Sequence, residues 1–166
     1  MTTEPLDGLG AVFDHAAVAA PRMRDLLAVY HDLLGGRLLE GGDNPRVGFR
    51  AAQLGFPDGT KIELMEPLAG STFFDSFFRR GGGLHHITFK VPDMELAVEE
   101  LRRRGYRLTG LYLDDPEWQE VFLHPREAHG VLVQLAHEGE HPPAPSMTLE
   151  DVLAGRGHGG TGVPSP

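Results

Sequence analysis

A chain of 166 residues is sized for about one domain with a buried core, and an internal duplication would make it two fused half-units. Its 24 acidic and 15 basic side chains give a formal charge of −9, which argues against a nucleic-acid partner, because a phosphate backbone calls for a basic surface. The absence of cysteine excludes disulfides, thiol catalysis and thiolate metal sites and fits a reducing compartment.

In chain order, residues 1–11 form an N-terminal lead with Pro5 and two glycines. Val12 to Ala19 reads as a short buried strand with His15 inside it. Pro21 then opens a helix whose Met23, Leu26, Leu27, Tyr30, Leu33 and Leu34 recur at helical spacing, and Gly35-Gly36 ends it. Arg37 to Glu40, Val47 to Gly55 and Lys61 to Glu66 read as three strands, with Gly41-Gly42-Asp43-Asn44-Pro45 and Pro57-Asp58-Gly59 as breaks. Residues 12–66 are therefore a βαβββ module. Residues 67–83 link it to the next, and Phe73, Phe74, Phe77 and Phe78 within them are read as core or dimer contacts on an amphipathic turn.

A second βαβββ module occupies residues 84–137. Its strand His85 to Val91 precedes a helix with Met94, Ala97, Val98 and Leu101 on one face, stopped by Gly105. Tyr106 to Leu113, Trp118 to His124 and Val131 to Ala136 follow as strands. Residues 138–166 are rich in glycine and proline and read as a flexible tail, in which only Met147 to Leu153 has the makings of a helix. The apolar runs are too short to span a bilayer, and Met1-Thr2-Thr3-Glu4 lacks the form of a signal peptide. A cytoplasmic protein without a membrane partner is expected.

The two modules repeat at an offset of 71 residues, which sets His15 over His86, Pro21 over Pro92, Met23 over Met94 and Glu63 over Gln134. Alternation along a strand turns His86 away from His85 and Ile87, and Glu63 away from Ile62 and Leu64. With helices on one face of a sheet, His15, Glu63, His86 and Gln134 share the other. Gln134 interrupts an apolar strand, and a buried amide without a partner costs roughly 1–3 kcal/mol, so a metal or substrate would serve it. Two imidazoles, a carboxylate and an amide oxygen suit one divalent ion of Mn, Fe, Co, Ni or Zn, leaving positions for substrate oxygens. Such an ion favours chemistry in which an oxyanion or enolate forms.

These residues resemble the vicinal-oxygen-chelate superfamily, which includes glyoxalase I, methylmalonyl-CoA epimerases, extradiol dioxygenases and fosfomycin or bleomycin resistance proteins. Phe13-Asp14-His15, Lys61 to Pro67, Gly81 to Ile87, and Phe122-Leu123-His124-Pro125 with Gly130 to Leu135 look most like the epimerase branch. The resemblance implies an α+β fold of two tandem βαβββ modules in a cupped mixed sheet with helices on its outer face. It also implies one divalent metal held by His15, Glu63, His86 and Gln134, and a homodimer. The implied activity is a metal-dependent isomerase of the methylmalonyl-CoA epimerase type, working through a metal-chelated enolate of a small-molecule CoA thioester.

Two departures bear on the bases. Epimerases usually carry glutamine where Glu63 stands and glutamate where Gln134 stands, and that last glutamate is one of the proton-transferring bases. The other base belongs to the segment where this chain has Gly41 to Arg46, with Glu40 and Asp43 nearby. If roles are exchanged along with ligands, Glu120 and Glu117 beside Trp118 become the candidate bases, with Glu63 as a third catalytic candidate. Glyoxalase-type isomerisation, a two-histidine, one-carboxylate iron dioxygenase and a non-catalytic resistance-type binder remain the alternatives.

Overall fold

The computed structural model describes residues 8–140 and 146–157; residues 1–7 of the expected lead, and 141–145 and 158–166 of the expected tail, lie outside the described residues. The first half runs β1 (Val12–Ala19), α1 (Met23–Leu27) continued by a π-helical stretch (Ala28–Leu33), β2 (Arg37–Asn44), β3 (Phe49–Gly55) and β4 (Lys61–Pro67). The linker carries α2 (Asp75–Arg79). The second half runs β5 (Gly83–Lys90), α3 (Met94–Arg103), β6 (Leu108–Asp115), β7 (Trp118–Leu123) and β8 (Val133–Glu138), and α4 (Leu149–Leu153) follows. Both halves are βαβββ, and the class is α+β as expected.

The chain divides into two compact units whose boundaries fall within strands. One takes His15–His86 together with α4; the other takes Ile87–Glu140 with the residues before His15. Against the modules read at 12–66 and 84–137, the first unit also claims the linker and the leading residues of β5. The reason is packing: the linker phenylalanines Phe74 and Phe77 close on His85, edge to face at 5.2 and 4.9 Å.

In the first unit the strand order is β2-β3-β4-β1, with β1 and β4 parallel and the other pairs antiparallel. Met23, Leu26 and Leu27 of α1 pack with Ala52, Leu54 and Leu64 of the sheet. The helical face expected to continue through Leu33 and Leu34 does not; these two are 76% and 55% exposed. The π-helical winding, seen in Leu34 N–H donating to the Val29 carbonyl at 2.9 Å, adds residues per turn and rotates both leucines off the buried face.

β2 also runs further than the sequence suggests, through Gly41 and Gly42 to Asn44. Glycine at 41 answers a close approach rather than a turn: a Cβ there would lie 2.7 Å from the Ala51 carbonyl oxygen and 3.0 Å from Cγ2 of Val152. Val152 belongs to α4, in the segment read as tail. Thr148 and Asp151 form a reciprocal capping box at its start, and Val152 is fully buried among Met23, Leu26, Leu54 and Leu64. Arg50 ties the helix end down: its Nη1 donates to the Leu153 carbonyl at 2.7 Å and to Glu66 at 3.2 Å, while its Nε reaches Asp43 at 2.6 Å.

In the second unit the order is β5-β8-β7-β6, with β5 and β8 parallel. Asp93 caps α3 by accepting from Leu96 N–H at 2.9 Å, and Met94, Ala97, Val98 and Leu101 pack on Val121 and Leu135. Among the described residues no helix is long and apolar enough to cross a membrane.

Removing two buried methyl groups by Val152→Ala costs about 2 kcal/mol, which lowers the melting temperature by about 4–8 °C for a chain of this size. Thermal unfolding followed by circular dichroism checks it; an unchanged midpoint would mean that α4 does not support the fold.

Candidate metal centre

Parallel pairing fixes the site. In β1 and β4, Ala17 stands beside Glu63; in β5 and β8, Thr88 stands beside Gln134. The two registers superimpose at the same offset of 71 that relates the sequences. His15 and His86 each sit two residues before those positions, and alternation places each on the same face of its strand as Ala17 or Thr88. Alanine at 17 keeps the side chain beside Glu63 small.

The structure brings three of the four expected ligands together. His15, Glu63 and His86 are all buried, and their ligand atoms lie within 4.8 Å of one another. Oε2 of Glu63 is 3.8 Å from Nε2 of His15 and 3.7 Å from Nε2 of His86, while the two rings meet edge to face at 5.9 Å. Both separations exceed a hydrogen bond. Both can be spanned by one ion bonded at about 2.0–2.2 Å to nitrogen and oxygen. A buried carboxylate facing two imidazole nitrogens at these distances is a donor set that fits a divalent cation.

Burial alone raises the pKa of the Glu63 carboxyl. The neighbouring imidazoles, His15 first and then His86 and His85, more than reverse this and hold it below the ordinary carboxylate value. Glu63 is thus present as the anion a metal requires.

Gln134, the fourth expected ligand, belongs to the other unit, where protein groups meet its amide. Its Oε1 accepts from Thr88 Oγ1 at 2.6 Å and its Nε2 donates to Glu120 at 2.7 Å. Protein partners therefore already satisfy the amide that the sequence left seeking one. Glu120 Oε2 also accepts from the indole N–H of Trp118 at 3.2 Å. Glu117 lies apart from this network, exposed at the β6–β7 turn, with its backbone N–H donating to Asp115 at 2.9 Å. Asp43 is committed to Arg50.

Two residues of the neighbourhood escape sequence reasoning. Gln53 of β3 is the direct cross-strand partner of Glu63, shares its face and is buried. Its signal is a single polar residue between Ala51-Ala52 and Leu54. His85, expected to point away from His86, instead sets Nδ1 2.9 Å from Nδ1 of His86. Nδ1 is a ring nitrogen close to the backbone, so two consecutive histidines can turn toward one strand edge and meet. Burial pushes the His85 imidazole below its ordinary pKa, with Glu63 opposing and Arg80 adding to the effect.

The family model described as the Glyoxalase/Bleomycin resistance protein/Dioxygenase superfamily matches residues 14–122, a span that includes His15, Glu63, His86 and Glu120. The chain is 30% identical over 144 residues to the Homo sapiens protein named methylmalonyl-CoA epimerase, mitochondrial, with 81% of each chain covered. It resembles the solved structure of Mycobacterium tuberculosis methylmalonyl-CoA epimerase with a TM-score of 0.71 at 28% identity, over 83% of this chain and 95% of that one. A Streptomyces coelicolor methylmalonyl-CoA epimerase in complex with 2-nitronate-propionyl-CoA matches with a TM-score of 0.64 at 27% identity, over 77% of this chain and 97% of that one.

Elemental analysis by mass spectrometry of chain purified without chelator is expected to find about one divalent ion per chain, and Glu63→Ala or His86→Ala to lose it, because each removes one of the few ligands of a single site. Ion retained by both variants would place any metal elsewhere.

Proposed function

We propose that this chain, which belongs to the glyoxalase/bleomycin resistance protein/dioxygenase superfamily, is a divalent-metal-dependent epimerase of methylmalonyl-CoA-type thioesters. It is an enzyme of that superfamily's type. The observation that carries the reading is the buried His15, Glu63 and His86 cluster, in a chain similar over most of its length to epimerases of CoA thioesters. When bound, a divalent ion supplies positive charge against which an enolate oxygen is stabilised, lowering the pKa of the carbon acid between thioester and carboxylate.

The residues divide the remaining work. Glu63 is assigned to the ion, since it is buried between two imidazoles. Gln134 completes the ligand set through Oε1. The support is its register equivalence with Glu63, and a carbonyl oxygen that accepts from Thr88 retains a second lone pair. Thr88 and Glu120 hold the amide so that its oxygen and nitrogen do not exchange places. Glu120 is assigned as a proton-transferring base. Two N–H donors hold its carboxyl group in a fixed position, from which it would accept a proton from carbon. Glu117, at its exposed turn, is the weaker candidate. A homodimer in the cytoplasm is the assembly and place proposed, and the ion is one of Co, Mn, Ni, Zn or Fe.

A second reading has one observation in its favour. Two histidines and one carboxylate form the ligand set of non-haem iron oxygenases. Oxygen uptake by anaerobically iron-loaded chain would favour that reading over isomerisation.

Proton exchange decides the matter. With methylmalonyl-CoA in deuterium oxide, wild-type chain loaded with cobalt or manganese is expected to wash deuterium into carbon 2. Chelated chain should not, and Glu120→Gln should slow the exchange by about 100-fold or more while Glu117→Gln changes it little. No exchange with any of the five ions would refute the epimerase reading.

A further inference from the structure

We propose that His85 is a positioning residue for His86: its Nδ1 accepts the Nδ1–H of His86 and so leaves Nε2 of His86 as the lone-pair nitrogen turned toward Glu63. This deepens the reading above and rests on His86 holding the ion.

Two ring nitrogens 2.9 Å apart require one donor and one acceptor. A neutral imidazole carries a single N–H, so the direction of this bond fixes the tautomer of both rings. If His85 were the donor, His86 would carry its hydrogen on Nε2, aimed at Glu63. A hydrogen there would draw the carboxylate into a bond near 2.9 Å. The separation is instead 3.7 Å. With His86 as donor, its buried Nε2 presents a lone pair, which is what a metal ligand needs.

The surroundings suit His85 as acceptor. Its ring is set among Phe73, Phe74 and Phe77 at centroid distances of 6.1, 5.2 and 4.9 Å, the last two edge to face. Three phenyl rings hold the imidazole by packing, with its Nδ1 set against His86. They also fix the plane of the ring. The linker phenylalanines thereby acquire a task beyond filling the core, since they hold the group that orients a ligand.

Outer groups of this kind change metal affinity by about 10–100-fold. Two variants separate orientation from packing. His85→Phe keeps an aromatic ring and removes the acceptor; His85→Asn loses the ring and returns an acceptor oxygen near the place of Nδ1.

The first measurement is the two-bond proton–nitrogen correlation of the His86 ring in metal-free full chain, which reports its tautomer without substrate or turnover. The hydrogen is expected on Nδ1 in wild type and distributed over both nitrogens in His85→Phe. Cobalt affinity by calorimetry should weaken by about 10–100-fold in His85→Phe and stay within about threefold in His85→Asn. A wild-type His86 carrying its hydrogen on Nε2 would overturn the proposal, as would His85→Phe binding cobalt as tightly as wild type. If His85→Phe fails to fold, the wild-type tautomer and His85→Asn still decide. Failure of the epimerase assay alone would leave these readouts unmoved.

Discussion

A buried carboxylate set against two imidazoles is the constraint on which the first unit turns, and parallel strand pairing puts it there. Glu63 faces the histidines because β4 lies on β1 in one register, with Ala17 opposite Glu63 and Val18 opposite Leu64. A slip of one residue would turn Ile62 and Leu64 to that face and Glu63 to the other. The surrounding side chains make such a slip expensive. Leu64 is fully buried against Met23, Leu26 and Leu54, so the packing that stabilises the unit and the placement of its charge are two faces of one strand.

Burying Glu63 is unfavourable unless its charge is answered; the imidazoles answer it, and a bound cation would do so further. Around that point the unit is braced on both sides. Arg50 joins β2, β3, β4 and the end of α4 through Asp43, Glu66 and the Leu153 carbonyl, and Glu66 in turn accepts from the backbone N–H of Met23 at the start of α1 at 2.7 Å. The linker phenylalanines close on His85 from another side. A site held this way satisfies a condition for catalysis, that groups be oriented before the substrate arrives. The second unit repeats the strand register with different chemistry. Its Gln134 and Glu120 form a hydrogen-bonded pair fastened by Thr88 and Trp118.

Much of this was legible from residues. The offset shared by His15 with His86 and by Glu63 with Gln134 survives as identical strand registers, because a duplicated βαβββ unit keeps its pairing when its side chains change. Helix α3 was readable from Met94, Ala97, Val98 and Leu101, whose spacing answers to one buried face. The misses have physical causes. A π-helical winding leaves no periodicity signal in so short a stretch, so Leu33 and Leu34 looked buried. Gly41-Gly42 carries the composition of a turn, but Gly41 serves close packing under Val152, a long-range contact that no local pattern announces. Strand alternation separates His85 from His86 by face, yet says nothing of where ring nitrogens go once side chains choose rotamers. Gln134 read as an amide in want of a partner, because Thr88 and Glu120 reach it only through strand pairing.

The central claim is that His15, Glu63 and His86 hold one divalent ion. Anomalous diffraction from crystals of the cobalt-loaded chain, collected at the cobalt absorption edge, tests it most directly. The account predicts a single peak bonded to Nε2 of His15, Nε2 of His86 and a carboxylate oxygen of Glu63. A peak at any other residues, or full cobalt uptake with these three side chains left unbonded, would contradict it.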